Sequence, residues 1–338
     1  MILVWTKFLV CALIVIFSGT KLTQYGDAIA EKTGLTRAWI GLLLLAAMTS
    51  MPELVTGASA AALVRVPDLA IGVVLGSNLF NLLLVVVLDL LHRPGPFLTR
   101  AGRSNLLLAR LSALLIGLAG LGLLMGNLVP SLALGWLSPF SLVLVLLYLL
   151  SLRWLFRLEQ SRQVTPAPGT QLLRYQYLSS RRTYLSFALA GVVIIGAGIW
   201  LASIGDEIAQ ITGWGDSFIG NILLAIITSL PELSVCIAAL RLGAADMALA
   251  DLLGSNLFNT GVIIAAADLL YWENPIFRSA SLDQLWAVGV ALLMTGFVAL
   301  GLILSSRRKL LGIFDWESFL LLALYVLGAY GLFVTTSG

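Results

Sequence analysis

The stretch Thr49-Ser50-Met51-Pro52-Glu53 decides the fold, because it returns almost unchanged as Thr228-Ser229-Leu230-Pro231-Glu232. Each copy is followed by the same six residues, Gly-Ser-Asn-Leu-Phe-Asn, which occupy 76–81 and 254–259. Both copies place a carboxylate beside a proline inside an apolar run. An ionisable group at membrane depth costs roughly 2.5–3.5 kcal/mol on insertion scales, so it indicates a functional role by default.

The composition is that of a membrane protein. Of the 338 residues, 11% are charged and 59% are hydrophobic, and the mean hydropathy is +1.00. A soluble domain carries about 25% charged residues, so we predict an all-α polytopic protein that resides in a lipid bilayer. The net charge of +3 indicates no nucleic-acid partner, because the basic residues sit at segment ends and form no stripe. No protein partner is implied.

A span needs about 20 apolar residues, and that length predicts ten transmembrane helices. They cover approximately 3–25, 38–64, 68–91, 103–126, 131–152, 183–205, 217–241, 246–271, 283–305 and 313–336. A polar segment at 153–182 contains Pro166, Pro168 and Gly169 and is predicted to be a linker. It divides the chain into a five-helix repeat at 1–152 and a second one at 183–338.

Lysine and arginine predict the orientation. One set of connections is basic, and the opposite side holds Lys7, Arg65 and Arg278. The positive-inside rule therefore predicts a cytoplasmic linker and both termini outside. The basic set comprises Lys32, Arg37, Arg93, Arg100, Arg103, Arg153, Arg157, Arg162, Arg174, Arg181, Arg182, Arg241, Arg307, Arg308 and Lys309.

The two repeats are predicted to be inverted. Similarity extends over 26–89 and 205–268, and five spans is an odd number, so the second half enters the membrane from the other side. The connection after the first span carries Lys32 and Arg37, whereas its copy carries Asp206, Glu207 and Asp216. Each copy thus has the charge expected for its side of the membrane.

The prolines predict breaks in the second and seventh spans. Proline removes a backbone donor and blocks the carbonyl one turn back, so Pro52 and Pro231 interrupt their helices near mid-membrane. Irregular backbone at that depth is tolerated where it lines a cavity or is buried in protein. Glu53 and Glu232 stand next to these breaks.

The polar residues around the breaks predict an oxygen-only cation site. On the third and eighth spans the serine and asparagine of each motif are four residues apart and share a helix face. Oxygen ligands suit hard cations, and a mixed, adaptable cage favours Ca²⁺, with Na⁺ as a competitor. The candidate ligands are Glu53, Glu232, Thr49, Thr228, Asn81, Asn259, Ser50, Ser229, Ser77, Ser255 and Asp251.

Several candidates have structural alternatives. Serine and threonine can bond back to their own helix, and asparagine can join helices, which holds more strongly for Asn78 and Asn256. Asp251 lies one turn before Ser255, and its counterpart is Val73. It is either an additional carboxylate at the mouth of the site or a group near the outer interface.

These paired motifs resemble the calcium/cation antiporter superfamily, in particular its prokaryotic sodium/calcium exchangers. The resemblance implies a prokaryotic inner-membrane antiporter with no cofactor that moves Ca²⁺ by alternating access, driven by Na⁺ or H⁺. It implies that Glu53 and Glu232 bridge calcium and that Thr49 and Thr228 offer carbonyls. By the same resemblance, Asn81 and Asn259 complete the central ring. Ser50, Ser77, Ser229 and Ser255 correspond to residues lining flanking sodium sites.

The chain departs from the family pattern at the central ring, where both positions are asparagine and many sodium exchangers have one aspartate. Two carboxylates balance one Ca²⁺ or two monovalent ions, which predicts near-electroneutral exchange unless Asp251 joins the site. We therefore expect calcium export in exchange for sodium. A calcium/proton antiporter is the main alternative, and a passive cation channel is a less favoured one. The spans contain no nucleophile–base pair, so we do not expect an enzyme.

Overall fold

The computed structural model describes residues 2–92, 95–100, 102–129, 131–161, 175, 177–212, 225–304 and 316–337. The regular structure of these residues is helical, apart from one isolated bridge between Leu134 and Leu137. The all-α prediction is confirmed. The first part of the predicted seventh span (217–224), Asp216 and the start of the tenth span (313–315) lie outside the described residues.

Eleven main helices follow one another in the described parts of the chain. They are α1 (Ile2–Thr33), α2 (Arg37–Thr49) and α3 (Met51–Val64), α4 (Pro67–Leu91), α5 (Arg103–Leu128), α6 (Pro139–Ser161), α7 (Ser180–Thr212), α8 (Leu230–Arg241), α9 (Ala245–Leu270), α10 (Gln284–Leu304) and α11 (Trp316–Ser337).

Most of these helices can cross a membrane. Within the described residues, 7 helices are long and apolar enough, and the bent pair α2–α3 makes a possible eighth. A shorter apolar stretch, Trp316–Leu332, lies in α11. The predicted total of ten stays a prediction, because the segment leading into α8 lies outside the described residues.

Two predicted boundaries require correction. The segment after residue 25, predicted as a connection, is helical and forms the last turns of α1, which ends at Thr33. Helix α6 continues to Ser161 and α7 begins at Ser180, so both helices enter the predicted linker. Hydropathy misplaced these ends because polar residues such as Lys32 extend a helix beyond its apolar part without breaking it.

The predicted breaks occur at Ser50 and Ser229. Ser50 has φ −85° and ψ 5°, and Ser229 has φ −88° and ψ 10°. The ψ angles of both residues therefore lie outside the α-helical range. Pro52 and Pro231 then occupy the first turn of the next helix, where a missing N–H is tolerated. The axes of α2 and α3 differ by 41° at this point.

The halves are packed into each other, so the repeats do not form two separate units. Helix α1 lies along α7 and also contacts α8, while α7 contacts α3. Helix α10 packs on α4 and α5, and α9 packs on α2 and α5. Each broken span therefore faces the long first helix of the opposite half.

A pair of buried aspartates links the halves. Asp89 and Asp268 each accept a backbone N–H from eight residues further on, at 2.9 and 2.7 Å. The second oxygen of each reaches the other half: Ser318 Oγ donates to Asp89 at 3.1 Å, and Ser138 N donates to Asp268 at 2.8 Å. These bonds fix the ends of α4 and α9 against α11 and α6.

Candidate cation site

The two duplicated acids lie at one place in the molecule. Glu53 and Glu232 are both 0% exposed and interact electrostatically with each other. Ser50 Oγ donates to Glu232 Oε1 at 3.2 Å, and Ser229 Oγ donates to Glu53 Oε1 at 3.1 Å. Each half therefore supplies the hydroxyl that orients the acid of the other half.

The helix breaks explain why the serines reach across. Thr49 lies in the last helical turn before its break, and its Oγ1 bonds back to Leu45 O at 3.1 Å. Thr228 does the same with Ala225 O at 3.3 Å. Ser50 and Ser229 stand at the breaks themselves, where the hydroxyl points away from the preceding turn and toward the opposite acid.

Four asparagines join α4 and α9 directly beside the acids. Asn81 Nδ2 donates to Asn256 Oδ1 at 3.0 Å, and Asn259 Nδ2 donates to Asn78 Oδ1 at 3.3 Å. Asn78 Nδ2 also donates to Thr260 Oγ1 at 2.8 Å. The side-chain N–H groups of Asn81 and Asn259 therefore donate hydrogen bonds. Their amide oxygens have no hydrogen-bond partner among the described residues.

The centre of the molecule contains a matched set of unused oxygens. Among the described residues, none of these buried atoms has a hydrogen-bond partner, although buried polar groups are normally paired. They are Glu53 Oε2, Glu232 Oε2, Asn81 Oδ1, Asn259 Oδ1, Ser77 Oγ and Ser255 Oγ. Each atom of one half has its repeat-related equivalent in the other.

This arrangement fits a hard cation. Carboxylate, amide and hydroxyl oxygens are ligands that Ca²⁺ accepts in sets of 6–8, and an unpaired buried oxygen is stabilised by a cation. No three His, Cys, Asp or Glu side chains in the described part of the chain surround a common metal position. Within this set of oxygens, the two glutamates carry the charge and the amide and hydroxyl oxygens are neutral.

Asp251 lies next to this set and interacts electrostatically with Glu232. It is 0% exposed, one turn before Ser255 on α9, and Cys236 Sγ donates to its Oδ2 at 3.5 Å. Val73, its counterpart on α4, is also buried. The structure brings Ser50 and Ser229 onto the two glutamates and places Thr49, Thr228 and Ser255 close to them. That all of the predicted residues bind a cation stays a prediction.

The prediction that Asn78 and Asn256 join helices is confirmed, since both hold the amides of Asn81 and Asn259 in place. Thr260, which accepts from Asn78, was missed by the sequence analysis. A signal was available for the asparagines. Both belong to the repeated Gly-Ser-Asn-Leu-Phe-Asn motif, and each lies three residues before the predicted ligand, on a neighbouring helix position. Thr260 has no such signal, since Leu82 occupies the equivalent position.

Comparison with known proteins identifies relatives along most of the chain. The family described as "Sodium/calcium exchanger protein" matches residues 3–157 and 183–336. Inner membrane protein YrbG of Escherichia coli (strain K12) is 29% identical over 276 residues, which cover 80% of this chain and 81% of that protein. Sodium/calcium exchanger MaX1 of Methanosarcina acetivorans is 28% identical over 118 residues, or 35% of this chain and 34% of its own.

The fold is also that of a solved structure. The sodium-calcium exchanger NCX_Mj, soaked with 100 mM Na⁺ and 10 mM Sr²⁺, superposes with a TM-score of 0.70 at 21% sequence identity. The similarity covers 98% of this chain and 99% of that one.

Proposed function

The chain belongs to the sodium/calcium exchanger protein family, and on that premise we propose that it is a secondary antiporter exporting Ca²⁺ in exchange for Na⁺. The observation that carries the proposal is the set of six unused oxygens around Glu53 and Glu232. A buried site of this kind would be costly in an empty, purely structural role. The names of MaX1 and NCX_Mj support calcium and sodium as the exchanged ions.

The proposed ligands divide between one central and two flanking positions. Glu53, Glu232, Asn81 and Asn259 would bind calcium at the centre. The hydroxyls of Ser50, Ser77, Ser229 and Ser255, with the backbone at Thr49 and Thr228, would bind sodium on either side. Competition for the same two glutamates then couples the ions, because calcium and sodium cannot both neutralise them.

We propose that α1 and α7 move while the broken spans and their partners stay fixed. The two long helices lie against each other and against the breaks. A Cβ at Gly198 would overlap Pro52, and one at Gly19 would overlap Ser234. At both glycines the helix backbone lies directly against a broken span. With no side chain between them, the two surfaces could slide past each other. Shifting α1 and α7 would open the site to one side at a time, as alternating access requires.

Charge balance bears on stoichiometry. With Asp251 outside the central set, the two glutamates balance one Ca²⁺ or two Na⁺, so we propose electroneutral two-for-one exchange. Calcium flux in proteoliposomes held at clamped potentials tests this directly. The flux should change little with voltage at fixed ion gradients, and a strong voltage dependence would require a third sodium ion or charge.

Calcium-45 uptake into proteoliposomes, with sodium, potassium and proton gradients imposed in turn, tests the exchange itself. Uptake should rise when sodium is trapped inside and should stay at background with the other two gradients. Uptake that follows the proton gradient would support calcium/proton exchange, since two carboxylates can also carry two protons. Uptake without any counter-ion would indicate a channel, which the fully buried acids argue against.

We further propose that the protein lies in the inner membrane with its linker in the cytoplasm and both termini outside. The inner-membrane relative YrbG supports the location, and the distribution of lysine and arginine supports the orientation. Alkaline phosphatase fused after residue 338 should be active in cells. A cytoplasmic reporter fused there should be inactive, and the reverse pattern would invert the orientation.

A further inference from the structure

Asp251 is a buried acid that the internal repeat does not explain. The other buried or half-buried aspartates on α4 and α9 come in repeat-related pairs, and each accepts a backbone N–H that secures a connection. These pairs are Asp68 with Asp246 and Asp89 with Asp268. Asp251 has Val73 as its counterpart and secures no connection among the described residues.

Its hydrogen bonding is poor for a carboxylate. The thiol of Cys236 approaches Asp251 Oδ2 at 3.5 Å, but the same thiol also approaches Ala248 O at 3.4 Å. A thiol is a weak donor. Oδ1 has no partner within the described part of the chain. The carboxylate is therefore held in an apolar interior without the bonds that would justify a structural role.

The position of Asp251 relative to the central site follows from the residue spacing along two packed helices, α8 and α9. On α8, Cys236 lies one turn beyond Glu232; on α9, Asp251 lies one turn before Ser255. Ser255 faces Glu232, although its hydroxyl makes no hydrogen bond of standard geometry to a described residue. The contact between Cys236 and Asp251 is the next level of the same α8–α9 packing.

The helix rise gives the axial position of this level between the α8–α9 turn and the centre. Asp251 is about 9 Å from Ala245, where α9 begins, and about 12 Å from Asn259 at the centre. A cavity of about 310 Å³ lies at the turn between α8 and α9, against Gly243 and Asp246. Along the axis of α9, Asp251 therefore lies between this cavity, which it does not itself line, and the central oxygens. The equivalent level of α4 carries the apolar Val73.

We propose that Asp251 is a second cation station on the route from the α8–α9 turn to the central site, and that the other route lacks one. This inference rests on the proposed function. Asp251 Oδ1 and the Ser255 hydroxyl would hold a partly hydrated Ca²⁺ before it passes to Glu232. Asp251 interacts electrostatically with Glu232, so an ion held at Asp251 would pass directly to the first carboxylate of the central site.

Side-specific transport tests the station. Calcium-45 uptake is measured in right-side-out and inverted membrane vesicles, and the half-saturating calcium concentration is determined at each face for wild type, Asp251→Asn and Cys236→Ala. Asp251→Asn should raise this concentration about tenfold at one face and leave the other within about twofold. Cys236→Ala, which removes the thiol and keeps the charge, should resemble wild type at both faces.

Three outcomes would overturn the station: an equal shift of Asp251→Asn at both faces, no shift at either, or a Cys236→Ala variant that reproduces the Asp251→Asn effect. If Asp251→Asn does not reach the membrane, Asp251→Val replaces it, since valine occupies the equivalent position of α4. Asp251→Val should raise the half-saturating concentration at the same single face, and an equal shift at both faces or at neither would contradict the proposal. Wild-type vesicles without counter-ion-dependent uptake would instead refute the antiporter function, which separates the two failures.

Discussion

At the level of single residues, the reciprocal serine bonds are the most specific feature of the site. Ser50 and Ser229 each donate to the glutamate of the opposite half, at 3.2 and 3.1 Å. A hydrogen bond to a charged group contributes roughly 1.5–3 kcal/mol. These bonds therefore help to set the position in which each glutamate meets a cation.

Replacing either serine by alanine should weaken calcium binding by roughly tenfold or more, since the glutamate loses its orienting hydroxyl. The repeat symmetry predicts that Ser50→Ala and Ser229→Ala have similar effects. Calcium-45 binding to purified protein measures this. Ser203→Ala is the control, because that exposed hydroxyl bonds only to its own helix among the described residues. Wild-type affinity in both site variants would mean that the glutamates are oriented by other groups.

At the scale of helices, α7 lies very close to Pro52, just after the break at Ser50, and this contact is part of the proposed sliding surface. A Cβ at Gly198 would overlap Pro52, whereas one at Gly196 would meet nothing within 4 Å. Both substitutions remove a helical glycine, so they share the same gain in helix propensity. Their difference isolates the contact.

Gly198→Ala should therefore reduce the calcium transport rate at least about tenfold, because the added methyl forces α7 away from the break at a cost of about 1–3 kcal/mol. Gly196→Ala should transport at the wild-type rate. The measurement is initial calcium-45 uptake at matched protein levels in proteoliposomes. Equal rates for the two variants would show that close approach of α7 to Pro52 is not required for transport.

Much of this architecture could be predicted from the sequence, because apolar length and proline position act locally. Breaks were expected at Pro52 and Pro231, and they occur two residues earlier, at Ser50 and Ser229. The π-helical segment Asn259–Ile263 within α9 could not be predicted. It accommodates one extra residue between Ser255 and Asp268 compared with Ser77 and Asp89, and that depends on packing against the rest of the fold.

The site could likewise be predicted only in its local features. The duplicated motifs identified Glu53 and Glu232 as candidate ligands, but no local rule predicts which serine faces which acid. The crossing of Ser50 to Glu232 depends on how the two halves dock. The roles of Asn78 and Thr260 in holding Asn259 likewise depend on contacts between residues about 180 positions apart in sequence.

At the scale of the whole molecule, the halves are interlocked by repeat-related aspartates. Asp268 accepts N–H groups from Ile276 and Ser138 at 2.7 and 2.8 Å, so it holds the end of α9 and the start of α6 together. Asp89 does the same for α4 and α11. This interlocking helps to hold the two halves, and with them the two glutamates, in register.

Asp268→Ala should lower the thermal unfolding midpoint in detergent by roughly 5–10 °C, because two buried N–H groups lose their acceptor. Scanning calorimetry or a fluorescence melting curve measures the shift. The control is Asp283→Ala, whose exposed carboxylate bonds to the neighbouring Ser281 and should melt within about 2 °C of wild type. A wild-type midpoint for Asp268→Ala would show that the hydrogen bonds of Asp268 do not stabilise the packing of the two halves.

Equilibrium calcium-45 binding to the purified chain, in wild type and in Glu53→Gln and Glu232→Gln, tests most directly whether one acid from each half meets at a single ion. The account predicts one calcium per wild-type chain and at least about a hundredfold weaker binding in each single variant, while Glu273→Gln at the surface binds as wild type. Calcium held with wild-type affinity by either variant, or two independent calcium ions lost one at a time, would contradict it.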